Sequence, residues 1–350
     1  MNSTTKDIKN MVGQMIMVGL RGTSSGDAKS FFDSLDGLTV GGIILYDQNV
    51  TTTPPSPHNI QSPEQVKKFN QALQSFSETP LFIGVDQEGG HVNRLKEEYG
   101  FPHTKSWAEM GQLNDAAETQ THSKHMATTL SDHGFNFNFA PVLDLFINPE
   151  SFIAKKDRCF SDDPEAVASH AEKFIQSHLA QNVISVCKHF PGQGSSVGDT
   201  HEGMVDVTES WIKSELHPYQ SLINKNTIQA IMTSHLFHRG LDPNFPATLS
   251  SKILNDLLRG QMGFDGVIIS DDPQMGAIAK HYDLKTVIQL MINAGVDMFC
   301  FGNNLIYDPD IVQQVHSTIS KLLDEGSVLA VQIQRSFERI MNLKSKIGLV

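Results

Sequence analysis

Eight times along this chain a short apolar run, rich in Val, Ile and Phe, stops abruptly at polar, acidic or glycine-rich residues and gives way to a helix-like segment. The runs are Gln14 to Leu20, Gly41 to Tyr46, Pro80 to Val85, Phe135 to Leu143, the run that opens at Val183, Ile228 to Thr233, Gly266 to Ser270, and Met298 to Phe301. Strands buried on both faces and separated by helices are what a parallel sheet with crossover connections requires. About eight such pairs in 350 residues, with no break in composition between them, predict an α/β fold: one (β/α)8 barrel over residues 1–350. Two amphipathic segments, about Asp308 to Leu323 and Val328 to Lys344, are expected to close it. A doubly wound open sheet is the alternative, because alternation alone does not fix closure.

Local signals place the connecting helices. Ser25 to Leu35 follows the first run, and Pro63 to Ser77 follows a cap at Ser62. Further helices are expected over Trp107 to His133, from Pro164 behind Asp163 to Gln181, over Ser250 to Gln261 with Ser250 as N-cap, and over Leu284 to Asn293. The Pro-, Thr- and Ser-rich stretch Thr51 to Ser62 offers little to pack and is expected to be a flexible rim. A formal charge of −12 without a basic stripe argues against nucleic acid or an anionic membrane as a partner. Three scattered cysteines, Cys159, Cys187 and Cys300, read as small buried hydrophobes in a reducing compartment. The opening MNSTTKDIKNMVGQMIMVGL lacks the basic-then-apolar form of a leader, and no apolar run reaches membrane-spanning length, so a cytoplasmic location is expected.

In a barrel, chemistry belongs where strands end. Asp47, Asp86, Asp144, Lys188, His189, His235 and Asp271 all stand at such ends. The densest stretch is Val183 to His201, which holds Lys188, His189, Asp199 and His201; Ser270-Asp271-Asp272 forms a second candidate. Asp47 and Asp144 read as hydrogen-bonded strand ends, and His235 as a pocket-lining residue. The acid and paired glycines of Asp86-Gln87-Glu88-Gly89-Gly90 point to a backbone lying close to a ligand, with a tight acidic turn as the alternative. No Gly-rich dinucleotide turn, P-loop, HExxH or Gly-x-Ser-x-Gly elbow is present, so nucleotide, zinc-protease and serine-hydrolase readings have no anchor. The histidines lack metal-ligand spacing, and neither metal nor cofactor is expected. What remains suits acid/base or glycosyl-transfer chemistry.

The motifs KHFPGQGSSVGDTH, GVDQEGGHVNRL, DRCFSDDP and LLRGQMGFDGVIISDDPQMGAI, in this order and spacing, resemble glycoside hydrolase family 3, in particular its single-domain β-N-acetylglucosaminidases. The resemblance runs from VGQMIMVGL to ERIMNLKSKIGLV. It implies a TIM-type barrel and a retaining, two-step removal of terminal β-linked N-acetylglucosamine from muropeptides or chitin-type oligosaccharides. It further implies Asp271 as nucleophile, Asp272 as the residue orienting its loop, and His201 paired with Asp199 as acid/base. Sugar-binding residues fall on Asp86, Arg94, Arg158, Lys188 and His189, whose carboxylate accepts and whose cations donate hydrogen bonds. Gln193 and His91 stand where the family often has His and Arg, two departures expected at the pocket rim. The accessory second domain of longer members has no counterpart in the sequence. A phosphorylase is the alternative, because a neutral histidine repels phosphate less than a carboxylate does. A catalytically silent sugar-binding barrel is disfavoured by the presence of Asp199, His201 and Asp271 together.

Overall fold

The computed structural model of the chain describes residues 3–350. Met1 and Asn2, which begin the segment read as lacking a leader, lie outside the described residues. Eight parallel strands make one continuous sheet: β1 (Ile16–Gly19), β2 (Gly42–Ile44), β3 (Phe82–Val85), β4 (Phe137–Asn138), β5 (Ile184–Phe190), β6 (Ala230–Thr233), β7 (Val267–Ile269) and β8 (Phe299–Phe301). From β1 to β7 each strand pairs with the next in sequence, and β1 also pairs with β8, Ile16 lying opposite Phe299. The last seam is the bridge between Ile269 and Met298. There the Met298 N–H donates to the Ile268 carbonyl at 3.0 Å and the Ser270 N–H to the Met298 carbonyl at 2.9 Å. The sheet therefore closes on itself as a (β/α)8 barrel, and the open doubly wound arrangement is excluded.

Closure explains why the strands carry no polar alternation. With helices outside and side chains filling the inside, both strand faces are buried, and every residue of β1, β3 and β5 is inaccessible. The rings of Phe82 and Phe137 lie 4.7 Å apart in the interior. Burying each such ring contributes roughly 2–3 kcal/mol. At the closing seam the buried Asp297 accepts from the Ile268 N–H at 2.8 Å, from Arg259 Nη2 at 2.6 Å and from Ser336 Oγ at 2.9 Å. One carboxylate thus joins the last helix, Ala330–Lys346, and the π-helical segment Lys252–Gln261 to the β7–β8 seam.

The caps read from sequence are in place. Ser62 Oγ accepts from the Gln65 N–H and Ser250 Oγ from the Ile253 N–H; Asp163, ahead of Pro164, also proves to be a cap, its Oδ1 accepting from the Glu165 N–H. Three expectations need correction. The helix expected over Trp107 to His133 is two, Trp107–Leu113 and Ala116–Asp132, because Asn114 turns left-handed (φ 44°) and the Asp115 side chain caps the second. The fourth run keeps strand pairing only at Phe137–Asn138; Pro141 has no N–H for the ladder, and contact resumes where Val142 meets Lys188. The loop from Thr51 is exposed through Pro57 apart from the half-buried Ser56, but His58, Asn59 and Ile60 are buried. Asn59 is fully buried, accepting from the Tyr46 N–H and donating to the carbonyls of Leu20 and Gly22.

Candidate active site

The strand C-termini open into one cavity of about 480 Å³. Asp86, Arg94, Arg158, Lys188 and His189 line it from the β3 and β5 side. Asp199, His201 and Asp271 complete the wall, so residues from separate loops, up to 185 positions apart between Asp86 and Asp271, meet in one place.

Asp271 follows β7, where the strand hands over to the SDD turn. Burial would raise its carboxyl, but His235, His189, His201 and the Asp272 N–H, which donates to Oδ1 at 2.8 Å, outweigh it and hold the group below the usual carboxylate range. Burial, reinforced by the charge of Asp271, pushes Asp272 the other way, to about 7. Two adjacent acids are thereby separated: near pH 6 the first is ionised and the second holds a proton. Asp272 also shapes the turn, since its Oδ1 accepts from the Gln274 N–H and its carbonyl accepts from the Met275 N–H.

In the loop after β5, Asp199 Oδ1 accepts from both His201 Nδ1 at 2.6 Å and the His201 N–H at 2.9 Å. The carboxylate fixes the Nδ1–H tautomer and leaves Nε2 free to exchange a proton. The side chain of His201 is 46% exposed and lines the cavity. The segment after Asp271 holds this pair in place. The Gly276 N–H donates to the His201 carbonyl, the Ala277 N–H to the Thr200 carbonyl, and Lys280 Nζ to the Glu202 carbonyl.

The remaining wall is a chain of charges. Lys188 Nζ bridges Asp86 Oδ1 at 2.8 Å and Glu88 Oε1 at 2.7 Å. Glu88 in turn grips Arg158 at two points, 2.8 and 2.9 Å. Arg158 Nη2 donates to His189 Nε2, and His189 Nδ1–H donates to Asp144 Oδ2 at 2.6 Å, so the tautomer of this imidazole is set by its neighbours. Burial would raise the Glu88 carboxyl, yet Arg158 and Lys188 bring it down to about 2. Exposure divides these residues by availability. Lys188 and Arg158 are 3% and 9% exposed and already engaged, whereas Asp86 and Arg94 are 19% and 29% exposed. Arg94 lies 3.6 Å from Asp47 and 3.9 Å from Asp86, and its buried Nε has no hydrogen-bond partner among the described residues. Arg94 is thus the most exposed cation of this wall.

Sequence reasoning undervalued several groups. Glu88, two residues after Asp86 and not singled out by the sequence, joins Lys188 to Arg158 at the centre of the network. Asp47 is no mere strand end: it lines the cavity, pairs with Lys96 at 2.6 Å and faces Arg94. Asp144 orients His189 and also accepts from the Gln193 N–H. His235 does not line the cavity. It is buried behind the SDD turn, with Nε2–H donating to the Asp272 carbonyl at 2.9 Å and Nδ1 2.8 Å from Thr248 Oγ1. Of the two family departures, Gln193 lines the cavity, while His91 faces solvent beside Asp157 and is not part of the wall.

A closed barrel with a buried acid, an Asp–His pair and a carboxylate–cation wall around one strand-end cavity suits glycosyl-transfer chemistry, and the comparisons with known proteins make the chain a glycosidase. The chain belongs to glycosyl hydrolase family 3: the pattern described as Glycosyl hydrolase family 3 N terminal domain matches residues 7–343. A beta-hexosaminidase of Alkalilimnicola ehrlichii is 32% identical over 298 residues, covering 83% of this chain and 80% of its own. A family 3 β-N-acetylglucosaminidase structure from Paenibacillus sp. superposes with a TM-score of 0.87 at 28% identity. The match covers 97% of this chain, which spans 62% of that enzyme's length. A β-N-acetylhexosaminidase structure from Beutenbergia cavernae gives a TM-score of 0.83 at 27% identity, covering 97% of this chain and 98% of its own.

Proposed function

We propose that this enzyme removes terminal β-linked N-acetylglucosamine with retention of configuration. The carrying observation is that Asp271 and the Asp199–His201 pair line the same cavity. In the first step an Asp271 oxygen bonds to the anomeric carbon as the glycosidic C–O bond breaks, and His201, entering as the imidazolium, passes its Nε2 proton to the departing oxygen and is left as the neutral Nδ1–H imidazole. In the second, water attacks the anomeric carbon, gives its proton to Nε2 and releases Asp271. Asp86 accepts from a sugar hydroxyl and Arg94 donates to one, while Lys188, Arg158 and His189 brace the wall and complete the contact. The relatives named as hexosaminidases and β-N-acetylglucosaminidases support the sugar assignment. Muropeptides or chitin-type oligosaccharides are the proposed natural substrates.

We also place the enzyme in the cytoplasm. Three buried free cysteines support this, and among the described residues no helix is long and apolar enough to cross a membrane.

The test is release of phenol from an aryl N-acetyl-β-glucosaminide, with and without phosphate. Free N-acetylglucosamine of retained anomeric configuration, at a rate indifferent to phosphate, is expected. The sugar 1-phosphate as product would replace hydrolysis by phosphorolysis, and an inverted anomer would sink the covalent intermediate.

A further inference from the structure

We infer that Glu215 is a positioning residue for proton transfer: its carboxylate anchors the loop that carries the Asp199–His201 pair. The inference rests on the acid/base role proposed above for His201.

Glu215 lies in the short turn Lys213–Leu216, ahead of the helix His217–Asn224, and is fully buried. Its Oε2 accepts from the Gly194 N–H at 2.8 Å and its Oε1 accepts from Ser195 Oγ at 2.6 Å. Both donors belong to the segment between the end of β5 and the Asp–His pair. The backbone there lies directly against the acid: a Cβ at Gly192, where φ is 118°, would meet the Glu215 Cβ at 2.6 Å. Asp144 and Tyr219 face the carboxyl as well, and among the described residues no Lys or Arg pairs with it. Desolvation therefore pushes the group up to about 7. A buried acid without a cation is costly to keep. Core packing alone would be served as well by an apolar side chain, whereas each oxygen of this acid accepts a hydrogen bond from the Gly194–Ser195 loop, with the Ile212 N–H also facing the carboxyl.

The loop geometry shows what the anchor controls. Ser195 and Ser196 are buried, Gly194 is further held by the Asn148 N–H donating to its carbonyl, and Gln193 by Asp144. Only Val197, 67% exposed, and Gly198, with φ 115°, separate this fixed segment from Asp199. On the far side the pair is tied to the backbone of Gly276 and Ala277. The dyad is thus strung between two anchors, and Glu215 supplies the one on the β5 side. Small displacements at a reacting group cost large factors in rate.

The test compares Glu215→Gln, Ser195→Ala and His201→Ala on aryl N-acetyl-β-glucosaminides whose leaving groups run from 2,4-dinitrophenol to phenol. Protonation of the departing oxygen matters for phenol and little for dinitrophenol. His201→Ala is expected to lose far more kcat/KM on the phenyl than on the dinitrophenyl substrate. Glu215→Gln, which keeps the size of the side chain, is expected to show the same tilt, at least about tenfold. Ser195→Ala should tilt the same way by less, with thermal unfolding showing both variants folded. Equal losses across the series for Glu215→Gln and Ser195→Ala, beside a tilted His201→Ala, overturn the inference. A flat His201→Ala series overturns the acid/base assignment itself, and the inference with it. If Glu215→Gln does not fold, a flat Ser195→Ala series is enough to reject the anchor.

Discussion

Replacing Asp271 with alanine is expected to lower turnover of an aryl N-acetyl-β-glucosaminide by about 10⁴-fold or more while the barrel stays folded. The group is buried yet held below the usual carboxylate range by His235, His189, His201 and a backbone N–H, so it is an ionised oxygen at neutral pH. Its neighbour Asp272, raised to about 7 and committed to the turn, is poorly placed to replace it. Among the described residues no Lys or Arg is paired with Asp271, so its removal strands no buried cation, and stability in urea should change little. Turnover and urea unfolding, measured on the same preparation, check both halves. Undiminished turnover refutes the nucleophile assignment; collapse of the fold would give the residue a structural role instead.

How much of this was legible before any coordinates depended on the distance over which each feature is encoded. The strand ends were readable because an apolar run and its polar terminus are adjacent in sequence: Asp86 directly follows β3, and Lys188 and His189 lie near the end of β5. Caps at Ser62 and Ser250 were readable for the same reason, each spanning three residues. Closure was not, because it rests on the bridge from Ile269 to Met298 and on β1 meeting β8 across nearly the whole chain. Glu88 stayed hidden because its partner Arg158 lies 70 residues away. Glu215 carries no local signal, since an acid before a proline-started helix is ordinary, and only the fold brings it under Gly194 and Ser195. His235 shows the opposite error: its strand-end position was read correctly, but one turn of geometry puts it behind the cavity wall.

The largest expected effect on stability comes from Glu88. Glu88→Ala leaves Arg158 with only the His189 contact and takes from Lys188 one of its two carboxylates, in a site almost closed to water. Breaking a buried ion pair by deleting one partner costs about 3–5 kcal/mol. Titration leads to a similar figure. The carboxyl is held at about 2 in the folded chain against 4.5 ordinarily, which corresponds to roughly 3 kcal/mol. Because the folded value is the lower one, this stabilisation is fully present above about pH 4.5 and is lost as the pH falls towards about 2. Urea unfolding of Glu88→Ala and the parent should therefore differ by several kcal/mol at pH 7 and by much less near pH 2.5. Glu88→Gln should lose nearly as much at pH 7, since an amide keeps the shape but turns a donor towards the guanidinium. A gap between parent and Glu88→Ala that is the same at both pH values would mean that volume, not charge, is what Glu88 contributes, and the bracing of the cavity wall would have to be assigned to Asp86 and Asp144 instead.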